Sequence, residues 1–268
     1  VNVRALVITG FGLNCERETA RALWEAGASA DMVHLNDIIA GDCVLDDYHL
    51  LAFIGGFSFG DHIGAGTVFA NRLRCNMQES LERFVRNGKL VIGICNGFQT
   101  ITRLGLVPAI DGAYFQQQTA MAQNSQGVFR DDWVLLRSEP KCPCIFTRDI
   151  EMIPLPIRHG EGRFVAANRG MLEKLEKQNL VALRYADPVS GTPTMDFPHN
   201  PNGSVNSIAG ICDPSGRIFG LMPHPEAYLS PLNHPHWSRQ KLNGVLPEKG
   251  LGQKLFDNAV AFAREAFC

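Results

Sequence analysis

The first hundred residues alternate between short apolar runs and longer stretches whose apolar residues recur at helical spacing. Val3 to Thr9 is rich in aliphatic and β-branched residues and predicts a buried strand; the opening VNVRALVIT reads as strand rather than signal peptide. A glycine turn, GFGLN from Gly10 to Asn14, leads into CERETARALWEAG, a helix that Asn14 is placed to cap and Gly27 to stop. Ala30–Leu35 and Leu50–Ile54 predict two more strands, the second running into GGFSFGDHIGAG. A long helix over Val68–Arg86, a fourth strand over Leu90–Ile94 and a helix over Asn96–Leu104 follow. Strands and helices alternating at this spacing predict parallel β-structure with helices on both faces.

The pattern then shortens. Trp133–Arg137, Met152–Ile157, Val181–Tyr185, Ser207–Ile211 and Arg217–Leu221 are brief strand candidates separated by turns carrying Gly, Pro, Asn or Asp. They predict antiparallel additions to the parallel sheet. Gly250–Ala266 predicts a closing helix, and the segments 187–206 and 229–249 read as long loops. The expectation is an α/β fold: a mostly parallel central sheet flanked by helices, with antiparallel additions in the second half. No repeat or low-complexity tract divides residues 1–268, which read as one domain.

Composition narrows the function. The chain has 268 residues, 45% of them apolar, and a net charge of −2. No Lys/Arg-rich run offers a surface to phosphates, which argues against nucleic acid. No apolar run approaches the roughly 18 residues of a membrane span. Eight cysteines are scattered as reduced core thiols are, not as a disulfide framework, so a cytoplasmic protein is expected. The sequence begins with Val1; a processed chain, a trimmed one and a domain of a longer protein all fit that.

One cysteine stands apart. In KLVIGICNGFQ, Cys95 sits where a predicted strand turns into a helix, with Gly93 and Gly97 on either side. Such a turn strains its central residue and projects the side chain out of the sheet, as in a nucleophile elbow. The helix N-terminus there favours a thiolate. The N–H of Asn96 can serve as one oxyanion donor, and Gly56, after the third strand, can supply a second. A packed structural cysteine between glycines is the competing reading, about even from this motif alone. A nucleophilic thiol also needs a base and a group to orient it. GLMPHPEA supplies both: two prolines hold a rigid turn in which Glu226 can reach the ring of His224.

GICNGFQ followed at a distance by PHPE resembles the triad-type (class I) glutamine amidotransferase family. ITGFGLNCERE, GGFSFGDHIGAG, HGEGRF, NPNGS and GLMPHPEA are similar to the glutaminase family of phosphoribosylformylglycinamidine synthase, and span residues 8–227. The long region around NPNGS looks more like the glutaminase domain of the large fused synthase than the short separate subunit. The resemblance implies that Cys95, His224 and Glu226 form a catalytic triad, with Gly56 and Asn96 as the oxyanion hole. It places Gln99 against substrate, a solvent-facing or capping glutamine being the alternative. It implies that backbone groups near His159 and Gly160 hold the amino-acid end of glutamine. Glu161 pairing with the substrate ammonium, and a surface hairpin of ordinary salt bridges, both stay open.

The resemblance implies no cofactor in this chain, with ATP and Mg on a synthetase partner. That partner is the synthetase subunit or domain of phosphoribosylformylglycinamidine synthase, joined by a small accessory subunit in some assemblies. Asp61 and His62 lack a second cluster at ligand spacing, and Cys142-Pro-Cys144 has one intervening residue rather than two, so no metal is expected. His234 and His236 read as solvated loop residues. Ala227 stands where the family pattern often has Arg, which puts a salt bridge or partner contact in doubt but not the triad. A glutaminase for another acceptor, a stand-alone cysteine hydrolase and a non-catalytic glutamine-sensing subunit are the alternatives.

Overall fold

The computed structural model describes residues 2–268; Val1 of the predicted opening strand lies outside them. In the first half, β1 (Arg4–Thr9), α1 (Glu16–Glu25), β2 (Ser29–His34), α2 (Leu35–Ala40), β3 (Leu50–Phe53), α3 (Thr67–Arg86), β4 (Leu90–Ile94) and α4 (Asn96–Leu104) follow one another. The second half adds β5 (Thr119–Ala122), β6 (Arg130–Ser138), β7 (Met152–His159), β8 (Arg163–Ala166), α5 (Arg169–Lys177), β9 (Val181–Ala186), β10 (Ile208–Cys212), β11 (Ile218–Leu221), α6 (Trp237–Leu242) and α7 (Gln253–Phe267).

Nine strands form one sheet in the order β2-β1-β3-β4-β11-β10-β9-β6-β7, while β5 and β8 pair separately. Neighbours from β2 through β4 to β11 are parallel. From β11 to β7 every pairing is antiparallel, so only β10 and β6 point against the rest. The mostly parallel sheet with antiparallel additions is thus as expected, except that Arg217–Leu221, read among the additions, forms β11 and runs parallel to β4 in the middle of the sheet. Every residue of β3, β4, β10 and β11 is buried, which is why these strands carry continuous apolar runs rather than alternation. The connections β1-α1-β2 and β3-α3-β4 run in opposite directions along the sheet, so right-handed crossovers put α1 and α3 on opposite faces. α7 joins α1, with Gln253 Nε2 donating to the Ala22 carbonyl, and α4 joins α3, with Arg74 donating to the Arg103 carbonyl. Among the described residues, no helix is long and apolar enough to cross a membrane.

The structure departs from the sequence reading at several ends. Cys15, not Asn14, takes the N-cap position of α1, without a side-chain bond to the helix amides, because the Asn14 N–H is drawn to the Gly55 carbonyl. Leu35 starts α2 instead of ending β2, since His34 Nδ1 accepts from the Asn36 N–H. The four-residue strands β5 and β8 and helix α5 went unread; α5 is capped by Asn168, whose side chain accepts from the Met171 N–H. The 229–249 segment is not bare loop: it contains α6, and its His234 is half-buried against Trp133, ring centroids 4.9 Å apart.

Close backbone approach seats α4 on the sheet. A methyl group at Gly97 would overlap the Phe53 carbonyl of β3, and one at Gly220 would overlap the Phe98 ring. Gly97→Ala is therefore expected to destabilise the chain by about 3 kcal/mol through overpacking. Gly112→Ala, where the added methyl meets nothing within 4 Å but φ is +75°, should cost only about 1 kcal/mol. Urea unfolding of the two variants beside the parent chain checks the difference.

Candidate active site

Cys95 links β4 to α4 with φ 52° and ψ −106°, a left-handed backbone that a non-glycine residue adopts only under constraint. The constraint is visible on both sides. Its N–H donates to the Leu221 carbonyl (2.9 Å), extending the β4–β11 ladder, and its carbonyl accepts from the Gln99 N–H (3.0 Å), opening the helix. The residue is buried, with Sγ 3.6 Å from the Arg158 carbonyl oxygen.

His224 and Glu226 arrive from the end of the neighbouring strand. β11 stops at Leu221, and the His224 N–H then donates to the Pro156 carbonyl of β7 (2.8 Å). Pro225 starts a short 3-10 turn that folds Glu226 back, so that His224 Nδ1–H donates to Glu226 Oε1 at 2.5 Å. Both side chains are almost wholly buried. Burial alone would push the His224 pKa down, but the Glu226 carboxylate, with the Cys95 and Cys15 side chains against the ring, outweighs it and holds it well above the ordinary range. The imidazole is thus kept as a cation that can face a thiolate. The thiol of Cys15 also lies against this ring, and burial pushes the Cys15 pKa up. Cys15 Sγ, a His224 nitrogen and a Glu226 oxygen lie within 4.8 Å of one another, the one group of potential metal ligands among the described residues. His224 Nδ1 and Glu226 are already bonded to each other, which suits an orienting pair better than two ligands of one ion.

Cys95 opens into a cavity of about 180 Å³ lined by Gly56, Phe57, Gln99, Phe129, Gly160 and Glu161, among others. Gly56 has φ 138°, and a methyl there would meet the Gly12 carbonyl and the Leu13 backbone. Among the described residues no backbone carbonyl engages the Gly56 N–H, and the Asn96 N–H begins a helix, where amides have no intrahelical partner. Gln99 is buried, which removes the solvent-facing alternative. Its Nε2 donates to the Glu161 carbonyl (2.6 Å) and its Oε1 accepts from Asn96 Nδ2 (3.1 Å). Glu161 is no surface ion pair: its carboxylate accepts from the Ala65 N–H (3.1 Å), tying the 160–162 turn to the loop after β3.

The ring of His159 points into the protein. Its Nδ1–H donates to Asn124 Oδ1 (3.2 Å), and Nε2 accepts from Asn202 Nδ2 (3.4 Å). Burial and then the charge of His224 push its pKa down to about 3, so the ring stays neutral. Asn124 also accepts from the Gly162 N–H and donates to the Val128 and His159 carbonyls. Sequence reasoning missed Asn124, which no motif marks. It saw Asn202 only as part of NPNGS, and weighed Asp61 only as a metal ligand, which it set aside. Asp61 instead accepts from Asn96 Nδ2 (3.0 Å) and the Gly66 N–H, and its pKa is raised by burial.

A family profile described as the CobB/CobQ-like glutamine amidotransferase domain matches residues 2–263. The chain belongs to this family. Similar curated members of known name include the phosphoribosylformylglycinamidine synthase subunit PurQ of Methanococcus maripaludis, 42% identical over 265 residues and 97% of each chain. The subunit of the same name from Dehalococcoides mccartyi is 40% identical over 98% of each chain. Among solved structures, PurLQS from Thermotoga maritima matches with a TM-score of 0.70 and 32% identity, covering 98% of this chain and 99% of that one. A glutamine amidotransferase from the same organism, at 16% identity and TM-score 0.54 over 99% of each chain, shares the fold. The amidotransferase resemblance holds, with one correction. These relatives are separate subunits matched over nearly their whole length, not domains of a fused synthase, so the long NPNGS region also occurs at subunit size.

Two outcomes follow for the buried groups of this amidotransferase. With Glu226→Gln, the largest influence opposing burial at His224 is removed and the imidazolium beside Cys95 is weakened; iodoacetamide alkylation of Cys95 at pH 7, followed by mass spectrometry, should slow about tenfold. His159 acts through folding. Below about pH 6.5 the unfolded chain takes a proton on this residue that the folded chain refuses. Stability therefore falls by up to about 1.4 kcal/mol per pH unit from there toward pH 3. Urea unfolding at pH 6.5, 5.5 and 4.5 should show this acid slope reduced in His159→Gln.

Proposed function

We propose that this chain is the glutaminase subunit of phosphoribosylformylglycinamidine synthase, releasing ammonia from L-glutamine for a synthetase in purine biosynthesis. The observation that carries this reading is Cys95 on a strained elbow beside the His224–Glu226 pair, in a cavity that Gly56 lines, with the Asn96 amide next along the chain at the start of α4. The names and near-complete coverage of the relatives supply the acceptor, which a triad alone does not.

In this reading the Cys95 thiolate attacks the carboxamide carbon of glutamine. The Gly56 and Asn96 N–H groups hold the oxyanion, a contribution of about 100–1,000-fold in rate per donor. His224 then gives its proton to the leaving nitrogen, and ammonia departs as the C–N bond breaks. Water, deprotonated by His224, cleaves the γ-glutamyl thioester to glutamate and restores the thiol. Glu226 keeps the imidazole oriented and its cation stabilised throughout. Gln99, Gly160 and Glu161 line the end that receives the amino acid, with neutral His159 supporting their turn from behind.

Ammonia must cross to the synthetase without meeting bulk water, where it would be protonated. Exposed Phe57 and Phe129, with ring centroids 6.1 Å apart at the cavity, give the mouth an apolar rim suited to direct docking. ATP and Mg²⁺ act on the synthetase, which activates the formylglycinamide ribonucleotide.

Glutamate release tests the reading. The parent chain and Cys95→Ala are each assayed alone and with the synthetase subunit, ATP, Mg²⁺ and formylglycinamide ribonucleotide. Strong stimulation by the complete system is expected, with Cys95→Ala lowering it by about 10⁴-fold or more. Cys95-dependent release that ignores the partner would instead indicate a free hydrolase or another acceptor. A folded chain inactive under every condition would indicate a glutamine sensor.

A further inference from the structure

A second group of thiols lies away from the cavity. Cys142 and Cys144 flank Pro143 in the loop after β6, and Cys212 is the last residue of β10. The loop is fastened to the β10–β11 turn: the Ile145 N–H donates to the Gly216 carbonyl (3.0 Å), and a methyl at Gly216 would overlap the Pro143 carbonyl. Cys212 is fixed in turn, its N–H donating to the Leu180 carbonyl (2.9 Å). Between these two anchored segments the sulfurs of Cys142 and Cys212 stand 3.4 Å apart. Cys212 lies opposite Phe219, near the start of β11, whereas Cys95 follows the far end of the paired strand β4. The thiols therefore occupy the opposite edge of the sheet from the triad.

We propose that Cys142 and Cys212 are an oxidation site, joined into a reversible disulfide by a peroxide-class oxidant. The pair need only close from 3.4 Å to the roughly 2.05 Å of an S–S bond. Roles divide by exposure: Cys142 is half-buried and reachable, while Cys212 and Cys144 are buried. The hydrogen bond from Cys212 holds the Cys142 pKa down despite burial, and the Cys212 pKa is raised well above the ordinary range. The Cys142 thiolate attacks one peroxide oxygen, the O–O bond breaks, and the leaving hydroxide takes up a proton to become water. Cys212 sulfur then attacks the sulfenic sulfur of Cys142, the S–O bond breaks, and its thiol proton leaves with hydroxide as a second water. Two thiols and one peroxide become one disulfide and two waters.

The bond would staple the post-β6 loop to β10 and close a long loop of chain, which stabilises chiefly by restricting the unfolded state. The test uses the full chain carrying Cys95→Ala, so that the elbow thiol does not consume oxidant, treated with dilute hydrogen peroxide. Intact mass should fall by two hydrogens, peptide mapping should give a Cys142–Cys212 crosslink, and dithiothreitol should reverse both. The thermal midpoint should rise by about 5 °C. Adding Cys212→Ser should abolish the crosslink and leave oxygen adducts on Cys142. The proposal is overturned if the crosslink lacks Cys212, if Cys142 goes to sulfinic acid while Cys212 stays a free thiol, or if both survive peroxide that oxidises the exposed Cys75 and Cys268.

Discussion

Strands β4 and β11 pair in parallel so that Ile94 faces Leu221, and the Cys95 N–H donates to the Leu221 carbonyl. This register brings the residues after both strands to the same edge of the sheet, one leading into the elbow and the other into the PHPE turn. A slip of one residue would move His224 by about 3.3 Å and turn the alternate side chains of β11 to the other face. The glycines of the two strands belong to the same constraint. Gly93 faces Gly220 across the ladder, and the missing side chains leave room for α4 to settle on the sheet with Phe98 over Gly220. The helix can then start directly beneath the thiol.

Around that edge, two buried imidazoles are driven to opposite protonation states. His224 faces a carboxylate and a thiol and holds its proton; His159 faces two carboxamides and gives its second proton up. The difference arises from partners rather than depth, since both are deeply buried. Environments that separate the pKa values of like groups also separate their roles. In the proposed reaction His224 is the residue that exchanges protons with the reacting groups. His159, with Asn124 and Asn202, forms a neutral bracket under the turn that carries Gly160 and Glu161.

The parts of the molecule legible in sequence were those where one local rule dominates. The buried strands announced themselves as apolar runs, the elbow as a cysteine between glycines, and the His224 turn as a histidine between prolines. What escaped depended on distant partners. Asn124 is an unmarked polar residue until the fold brings residues 159, 162 and 202 around it. Cys15 looked like part of an ordinary helix start, yet the Gly55 backbone draws the preceding loop inward and sets the thiol beside His224. β5 and β8 were too short to show a period, and they pair with each other across more than forty positions.

The central position of β11 has a consequence for biosynthesis. Strands β1 to β4 and the elbow are complete by residue 104, but β11 and the base it delivers come only at residues 218–226. During translation at about 5–20 residues per second, Cys95 precedes His224 by several seconds or more. For that interval the ribosome-bound chain carries the Cys95 elbow without the imidazole that the folded chain sets beside it. Because β11 lies between β4 and β10, the central pairing of the sheet joins a strand from the first half of the chain to one from its last fifth. If Cys95 and His224 act together as proposed, a chain ending before β11 carries the elbow without the turn that completes the site.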